Sequence, residues 1–497
     1  MSRNVVIAGQ AGISYAGFLF GQASRFAFNL LVARLLGADA LGIYALAIAV
    51  IQIAEVLAIA GLDSGVLRFV NVYRNNPLRQ KEVIGSALKT SLFLSLSVAL
   101  LLLLLSGSIA SLLNGSRLLQ LVICCYAASI PFNAATMLFG HAMQGFRKLQ
   151  PKVIATQVIS PLLLLLMTLL IHYMSGRDEA LLFPFVIAAV GSFFWIRPYL
   201  KKITGVASTD IMHAPIDRVM LAYALPFMGV SLLSMMTHWL DIMMLGMFTD
   251  TATVGIYHPA ARTAGLIRSV LLAFSGIAAP MIAELHSGSE NKEIGRIYRM
   301  VTRWIVAVVI PAVLLFTLLP GPVLGVFGGR FAEGSTVLVL LTMASFLQVC
   351  FGLSSTVLAM TGYSRLSLLN ALGAFILQVA LNFVLIPGMG INGAALATLL
   401  VFFVLSAIRL YQIHHLLKIN PFGRALWKPL CSGLLTAVLL IALRPWLLSL
   451  SEFTGFAAAA FISAGSYTGA MLLLKLEQEE REIILKALPF FNKELKR

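Results

Sequence analysis

The chain has 497 residues, of which 59% are hydrophobic and 11% charged, with a mean hydropathy of +0.93 and a net charge of +16. A soluble domain carries about 25% charged residues, so this composition excludes a soluble globular protein and predicts an all-α integral membrane protein. Because cytoplasmic loops of such proteins are rich in Lys and Arg, the positive charge does not indicate nucleic-acid binding.

Fourteen apolar segments are long enough to cross a bilayer, because a spanning helix needs about 20 mostly apolar residues. We number them spans one to fourteen in chain order: 11–36, 41–67, 84–108, 117–141, 152–174, 180–198, 219–248, 254–280, 301–320, 335–360, 365–386, 391–413, 426–448 and 454–475. The connections between them are short, and none is large enough for an extramembrane domain.

The distribution of Lys and Arg predicts the orientation of the spans. With a cytoplasmic N-terminus, the predicted outer loops hold only Arg34, Arg117, Arg177, Arg330 and Arg444. The inner loops hold most of the rest, as the positive-inside rule requires, so both termini are expected in the cytoplasm. The cytoplasmic tail, 477–497, mixes charged and apolar residues, and it fits either an amphipathic surface helix or a solvated end.

Two stretches of the chain repeat a short pattern. Residues 34–47, RLLGADALGIYALA, follow span one, and residues 245–261, LGMFTDTATVGIYHPAA, follow span seven. Each has an aspartate in a polar turn, Asp39 or Asp250, followed by Gly-Ile-Tyr. Six spans separate the copies, so the repeat unit is six helices and both copies have the same orientation. Such parallel repeats are typical of transporters that bind substrate between two lobes near the membrane midplane.

The repeat predicts the domain organisation of the chain. The chain is predicted to comprise an N-terminal six-helix lobe (1–200), a cytoplasmic inter-lobe loop (201–217), a C-terminal six-helix lobe (218–415), two additional transmembrane helices (416–476) and the tail (477–497).

Two stretches resemble a known family. Residues 30–70, LLVARLLGADALGIYALAIAVIQIAEVLAIAGLDSGVLRFV, look like the opening two helices of polysaccharide transporters, and residues 382–400, NFVLIPGMGINGAALATLL, look like their turn between helices eleven and twelve. This oligosaccharide flippase family belongs to the multidrug/oligosaccharidyl-lipid/polysaccharide exporter superfamily. The resemblance covers the whole chain. It implies a V-shaped bundle that flips lipid-linked oligosaccharides across the bacterial inner membrane by alternating access.

Charged side chains inside spans are candidate functional residues, because each costs about 2.5–3.5 kcal/mol at mid-span on insertion scales. On span one, Ser14, Gln22, Arg25 and Asn29 share a narrow arc at 100° per residue. We expect Arg25 to line a central cavity together with Gln22, Asn29 and Glu55 of span two. Its planar fork suits substrate phosphate. The alternative is a structural ion pair between Arg25 and Glu55.

Span eight contributes two more arginines. In GIYHPAARTAGLIRSV, His258 and Arg262 share a face, and Arg268 lies about 120° from Arg262 around the helix. The repeat makes this span the counterpart of span two, so Arg262 and Arg268 are also assigned to the cavity. The cavity candidates carry three arginines against two acids, Glu55 and Asp241, and this balance predicts an anionic substrate. A drug exporter for organic cations would be expected to carry acids without matching arginines.

The resemblance adds two implications about residues. The lipid II flippase branch has cavity arginines on its first, second and eighth spans. Here Arg25 and Arg262 match, but Gln22 replaces an arginine and span two has none, which favours a different lipid-linked glycan.

Some flippases of this superfamily bind sodium between spans seven, eleven and twelve. The matching residues here are Asp241, Gln378, Asn382 and Thr398. Hard oxygen ligands suit a small cation. Since Asp241 is the sole charge among them, a proton is the alternative coupling ion, with His238 as its neighbour, and an ion pair between Asp241 and Arg262 is the structural alternative.

The residues and the resemblance together predict a flippase for an undecaprenyl-pyrophosphate-linked oligosaccharide used in cell-surface polysaccharide biosynthesis, such as lipopolysaccharide O-antigen or exopolysaccharide. Its expected partners are the anionic lipid-linked oligosaccharide, membrane lipids, and polysaccharide polymerase and chain-length machinery.

The alternatives are a cation-coupled multidrug exporter and a lipid II flippase. A membrane polysaccharide polymerase needs a large external loop, so no enzyme is expected. No GxxxxGK[ST] motif or metal-ligand spacing is present, so no cofactor or metal beyond Na⁺ or H⁺ is predicted.

Overall fold

The computed structural model describes residues 3–176, 178–206, 208–288, 291–420, 423 and 426–474, and all regular secondary structure within these ranges is helical. The α-helices are α1 (Arg3–Ile59), α2 (Leu62–Val72), α3 (Pro77–Leu112), α4 (Arg117–Ala127), α5 (Ile130–Gly145), α6 (Gln150–Val153), α7 (Ser160–Met174), α8 (Glu179–Leu182), α9 (Pro184–Thr204), α10 (Ser208–His213), α11 (Arg218–Phe248), α12 (Thr251–Ser287), α13 (Asn291–Leu318), α14 (Pro320–Gly325), α15 (Ser335–Met360), α16 (Ser364–Leu417), α17 (Trp427–Ser449) and α18 (Glu452–Leu473). A π-helical turn, Ile154–Ile159, joins α6 to α7. The predicted tail, 477–497, lies outside the described residues.

Helix α16 contains predicted spans eleven and twelve, and α1 contains span one and span two up to Ile59, where the structure interrupts span two before it continues in α2. Helix α1 breaks at Gly37 (φ 83°, ψ −176°), and α16 breaks at Gly390 (φ 53°, ψ −130°). A positive φ strains a residue that has a Cβ, so glycine permits the helix to break at these points. Both breaks fall in the short connections that the sequence predicts, between spans one and two and between spans eleven and twelve.

The described residues contain eleven helices that are long and apolar enough to cross a membrane, and the pair α4 and α5, bent by 41°, adds a twelfth. Pro131, at the start of α5, lacks the N–H that a continuous helix would use there. Two of the eleven helices contain the breaks at Gly37 and Gly390. Counting their halves separately gives the fourteen segments that the sequence predicts, although the number of membrane crossings stays a prediction.

Large apolar side chains on the outside of the protein support its placement in a bilayer. On α3, Phe93 and Leu104 are 71% and 74% exposed, and on α18 Phe461 is 81% exposed. Apolar surface of this extent is unfavourable in water and is matched by lipid chains. The chain is therefore a multi-pass membrane protein.

The packing divides the described residues into two compact units. The first contains the chain up to Pro259 together with Asn382–Ala394, and the second contains the remainder. A core of the first unit includes Leu62, Val66 and Ile84. A core of the second unit includes Val306, Ile310 and Tyr467. The boundaries of these units follow the contacts between residues and do not coincide with those of the sequence repeat. The predicted six-helix lobes therefore stay a prediction.

Within the first unit, the two copies of the repeated pattern touch each other. A Cβ added at Gly42 would overlap the carbonyl oxygen of Thr251, and one added at Gly255 would overlap that of Ala38. The hydroxyl of Thr251 donates to Asp39. Glycine at the same place in both copies therefore lets the start of α12 lie backbone to backbone against α1.

Candidate functional site

The first unit holds Arg25 on a half-buried face of α1, and its hydrogen-bond partner is neutral. The guanidinium Nη2 of Arg25 donates to Oε1 of Gln157, which lies in the π-helical turn. Gly21 brings the two helices together, because a Cβ there would overlap Gln157 Oε1. π-Helical turns are frequent at functional sites, and this one presents an amide to an arginine inside a span.

Glu55 has a partner of its own. Its Oε1 accepts a hydrogen bond of 2.6 Å from Nδ2 of Asn133 on α5. Among the described residues, Arg25 and Glu55 form no ion pair with each other, so the alternative of a structural Arg25–Glu55 pair is not realised in this structure. Each charge is held by an amide instead.

Asn29 joins the predicted polar stripe to the repeat. Its Nδ2 donates to the Arg25 carbonyl oxygen over 2.7 Å, and its Oδ1 lies 3.1 Å from Nε2 of the fully buried His258. An amide oxygen only accepts, so His258 donates from Nε2, a tautomer assigned from this geometry. The ring of His258 stacks on that of Trp239, whose Nε1 donates to Gln52 over 3.0 Å. A polar and aromatic network thus links spans one, two, seven and eight.

The predicted polar stripe also contains Gln22 and Ser14. Gln22 is half-buried on the same helix as Arg25 and Asn29. The side chain of Ser14 lies outside the described residues. Of the predicted cavity residues, the structure therefore places Arg25 and Asn29 in one hydrogen-bonded group, and Gln22 one turn before it.

Arg262 and Arg268 lie on α12 in the second unit, where both are half-buried. The Arg268 guanidinium passes close to Gly265, one turn earlier on the same helix. The assignment of these two arginines to the substrate cavity stays a prediction.

The four residues predicted to couple a cation form two pairs. In the first unit, Asp241 accepts from Nδ2 of Asn382 over 2.8 Å and from the hydroxyl of Tyr257 over 3.0 Å. In the second unit, Gln378 donates from Nε2 to the Thr398 hydroxyl over 3.0 Å. Each oxygen of the Asp241 carboxylate therefore already accepts one hydrogen bond from a neutral donor, and Tyr257 is an additional partner.

Sequence reasoning missed Gln157, Asn133 and Tyr257 as partners of the charged residues. Each is a single polar side chain in or beside an apolar span, and such residues are usually structural. The sequence signal for Gln157 was the dipeptide Thr156–Gln157 within VIATQVIS. A π-helical turn changes the angle between successive side chains, so positions projected at 100° per residue do not show that Gln157 faces Arg25.

The chemistry that this arrangement supports is binding of an anion. Arg25 offers several N–H donors in one plane, and its described partner is an amide that leaves the positive charge uncompensated. A carboxylate or phosphate that reached Arg25 would gain charge-assisted hydrogen bonds, which are about twice as strong as neutral ones.

The fold and these intramembrane charges define the class as a multi-pass helical membrane protein. A family model described as "Polysaccharide biosynthesis protein" matches residues 11–286, more than half of the chain, and the chain belongs to this family. The family recognised from the sequence is thereby confirmed.

Two named relatives come from the archaeon Haloferax volcanii. "Probable low-salt glycan biosynthesis flippase Agl15" is 26% identical over 206 residues, which are 40% of this chain and 43% of that protein. "Probable flippase AglR" is 27% identical over 263 residues, which are 50% of this chain and 52% of that protein. The chain thus matches about half the length of these relatives.

Solved structures show the same fold. The lipid II flippase MurJ, in an inward closed conformation, superposes with a TM-score of 0.76 at 16% identity, over 95% of this chain and 99% of that one. An inward-facing multidrug resistance transporter of the MATE family, in the MOP superfamily, gives a TM-score of 0.67 at 16% identity, over 82% of this chain and 96% of that one. At such identity the likeness establishes the fold alone.

Proposed function

We propose that the protein is a flippase that moves an undecaprenyl-pyrophosphate-linked oligosaccharide from the inner to the outer leaflet of the bacterial inner membrane by alternating access. The glycan would serve cell-surface polysaccharide synthesis. Both termini are proposed to be cytoplasmic. Membership of the polysaccharide biosynthesis family, two relatives named as flippases and the MurJ-like fold support a transporter and not an enzyme.

The observation that carries this proposal is the pairing of Arg25 with a neutral amide. A guanidinium inside a span is costly, and a structural role would favour a carboxylate partner. Here Gln157 orients Arg25 without neutralising it. The diphosphate of a lipid-linked glycan supplies the missing negative charge, so the arginine is compensated when substrate is bound.

Purified protein in liposomes that contain fluorescent undecaprenyl-pyrophosphate-linked oligosaccharide tests this function. The translocation rate is read as the fraction of label accessible from outside. Arg25→Gln is expected to lower the rate at least tenfold. Arg34→Gln removes the same charge from an exposed position on the same helix and serves as the matched control, expected within about twofold of wild type. A wild-type rate for Arg25→Gln overturns the phosphate-binding role.

A lipid II flippase is the second candidate, because the MurJ fold covers 95% of the chain. Lipid II also carries a diphosphate, so Arg25 does not separate the two substrates. Competition does: excess unlabelled lipid II should leave transport of the other glycan unchanged if the proposal holds. A multidrug exporter predicts instead efflux of an organic cation such as ethidium, which Arg25 disfavours by repulsion.

We further propose that transport is coupled to Na⁺ or H⁺ through Asp241, which accepts a hydrogen bond from Asn382 of the same unit. The hydrogen bonds from Asn382 and Tyr257 position the Asp241 carboxylate without neutralising it. Polysaccharide polymerase and chain-length machinery are the proposed partners that use the exported glycan.

A further inference from the structure

A second cationic position lies on α6, at the end of span five that the positive-inside rule assigns to the cytoplasm. Nζ of Lys152 donates to Gln144 Oε1 over 2.8 Å and lies 3.0 Å from Nε2 of His141. Nδ1 of His141 lies 2.9 Å from the Met137 carbonyl oxygen. Since Nδ1 must donate to that carbonyl, Nε2 accepts from Lys152. Two neutral acceptors therefore hold the ammonium group.

Lys152 belongs to the packing of the first unit. A Cβ added at Gly140 would lie 2.6 Å from Cγ of Lys152, so the glycine makes room for the lysine stem. Lys152 is half-buried, whereas Lys148, four residues earlier, is exposed. This difference separates a lysine with a defined position from an ordinary interfacial one.

Lys152 interacts with the Asp63 carboxylate over a distance and not in a direct ion pair. Among the described residues it forms no ion pair within 4.0 Å, and the acid beside the cluster, Asp63, reaches His141 Nε2 only at 4.0 Å. A half-buried cation with neutral partners retains attraction for an anion, and Asp63 competes with that anion for the lysine.

Lys152 and the partner of Arg25 lie on one helical run. Lys152 precedes Gln157 by five residues, about 7 Å along a helix axis. An anion that approaches Arg25 from the cytoplasmic end of span five therefore meets the level of Lys152 first.

We propose that Lys152, held by His141 and Gln144, is a phosphate-binding position at the inner leaflet that receives the diphosphate of the lipid-linked substrate before Arg25 does. This inference rests on the proposed function and adds to it a second site for the same headgroup. A diphosphate ester offers several acceptor oxygens, and the ammonium group of Lys152 keeps one N–H donor for them when Gln144 and His141 each accept one.

The test measures binding of geranylgeranyl diphosphate to the purified full-length protein in detergent micelles. Lys152→Met keeps an apolar stem against Gly140 and removes the charge. It should weaken binding at least about tenfold. Lys148→Met, the matched control, should stay within about twofold. Lys152→Gln provides a second variant that keeps a donor, and melting temperatures show that each variant is folded. Equal affinity in Lys152→Met and Lys148→Met overturns the site.

Asp63→Asn should change the affinity for the prenyl diphosphate in the direction opposite to Lys152→Met. Because it removes the acid that competes for Lys152, binding should tighten about two- to fivefold. A purely structural cluster would instead lose affinity, or show no change, when either charge is removed. Weaker or unchanged binding in Asp63→Asn therefore contradicts the proposal.

Two further ligands identify the source of the phosphate. Inorganic pyrophosphate and phosphatidylglycerol nanodiscs should compete at least about tenfold less well than the prenyl diphosphate. Equal competition by either one overturns the assignment, in favour of a free-phosphate or bulk-lipid site. A wild-type protein that binds no prenyl diphosphate overturns the proposed function as well, whereas wild-type binding that ignores Lys152 overturns this site alone.

Discussion

The guanidinium of Arg25 donates to the side-chain oxygen of Gln157, a neutral residue 132 positions away in the sequence. The contact orients a charge inside the membrane without cancelling it.

Replacing Gln157 by Glu should impair transport more than replacing it by Leu. Glu has the same length as Gln and would form an ion pair with Arg25, so the substrate diphosphate would have to displace a carboxylate. We expect a loss of at least tenfold for Gln157→Glu and a smaller loss for Gln157→Leu, which only frees the guanidinium. The liposome translocation assay measures both, and equal rates for the two variants would contradict this role of the neutral partner.

Double-mutant cycles should distinguish the observed Arg25–Gln157 hydrogen bond from an Arg25–Glu55 ion pair, which the structure does not form. For Arg25 with Gln157 we expect a coupling free energy of about 0.5–3 kcal/mol, and for Arg25 with Glu55 a value below about 0.5 kcal/mol. The free energy of unfolding of the single and double alanine variants is measured in mixed detergent micelles. Stronger coupling to Glu55 than to Gln157 would contradict the observed hydrogen bonds.

A methyl group at the repeat contact should destabilise the protein. Gly42→Ala and Gly255→Ala each place a Cβ onto the backbone of the other helix, and overpacking of this kind costs about 1–3 kcal/mol. Gly229→Ala on α11 is the control, because an added Cβ there has no atom within 4 Å. Melting temperatures in detergent report the effect. Unchanged melting temperatures for Gly42→Ala and Gly255→Ala would show that the helices can separate at no cost.

Asp241→Asn should abolish the dependence of transport on an imposed Na⁺ or proton gradient, because it keeps the shape of the side chain and removes its charge. Tyr257→Phe removes one hydrogen-bond donor but keeps the carboxylate, so it should retain that dependence. Transport in liposomes with and without each gradient measures this. Gradient-dependent transport in Asp241→Asn would rule out the carboxylate as the coupling group.

Local sequence was sufficient for the long apolar helices of this fold. A run of about 20 apolar residues is helical wherever it lies in a bilayer, since every backbone group must be satisfied within the segment. The breaks at Gly37 and Gly390 follow from the same local chemistry, because glycine tolerates positive φ. The polar arc that contains Arg25 and Asn29 likewise depends only on the helical period.

The partners of those polar residues depended on how distant spans pack. Gln157 and Asn133 reach Arg25 and Glu55 from spans five and four, and a π-helical turn sets the direction of Gln157. Opposite charges on neighbouring spans suggested an ion pair, but side-chain contacts follow the rotation and spacing of packed helices and not charge alone. A periodicity that treats every residue as 100° of α-helix contains no information on that rotation, so the three-dimensional packing was needed to show that amides hold both charges.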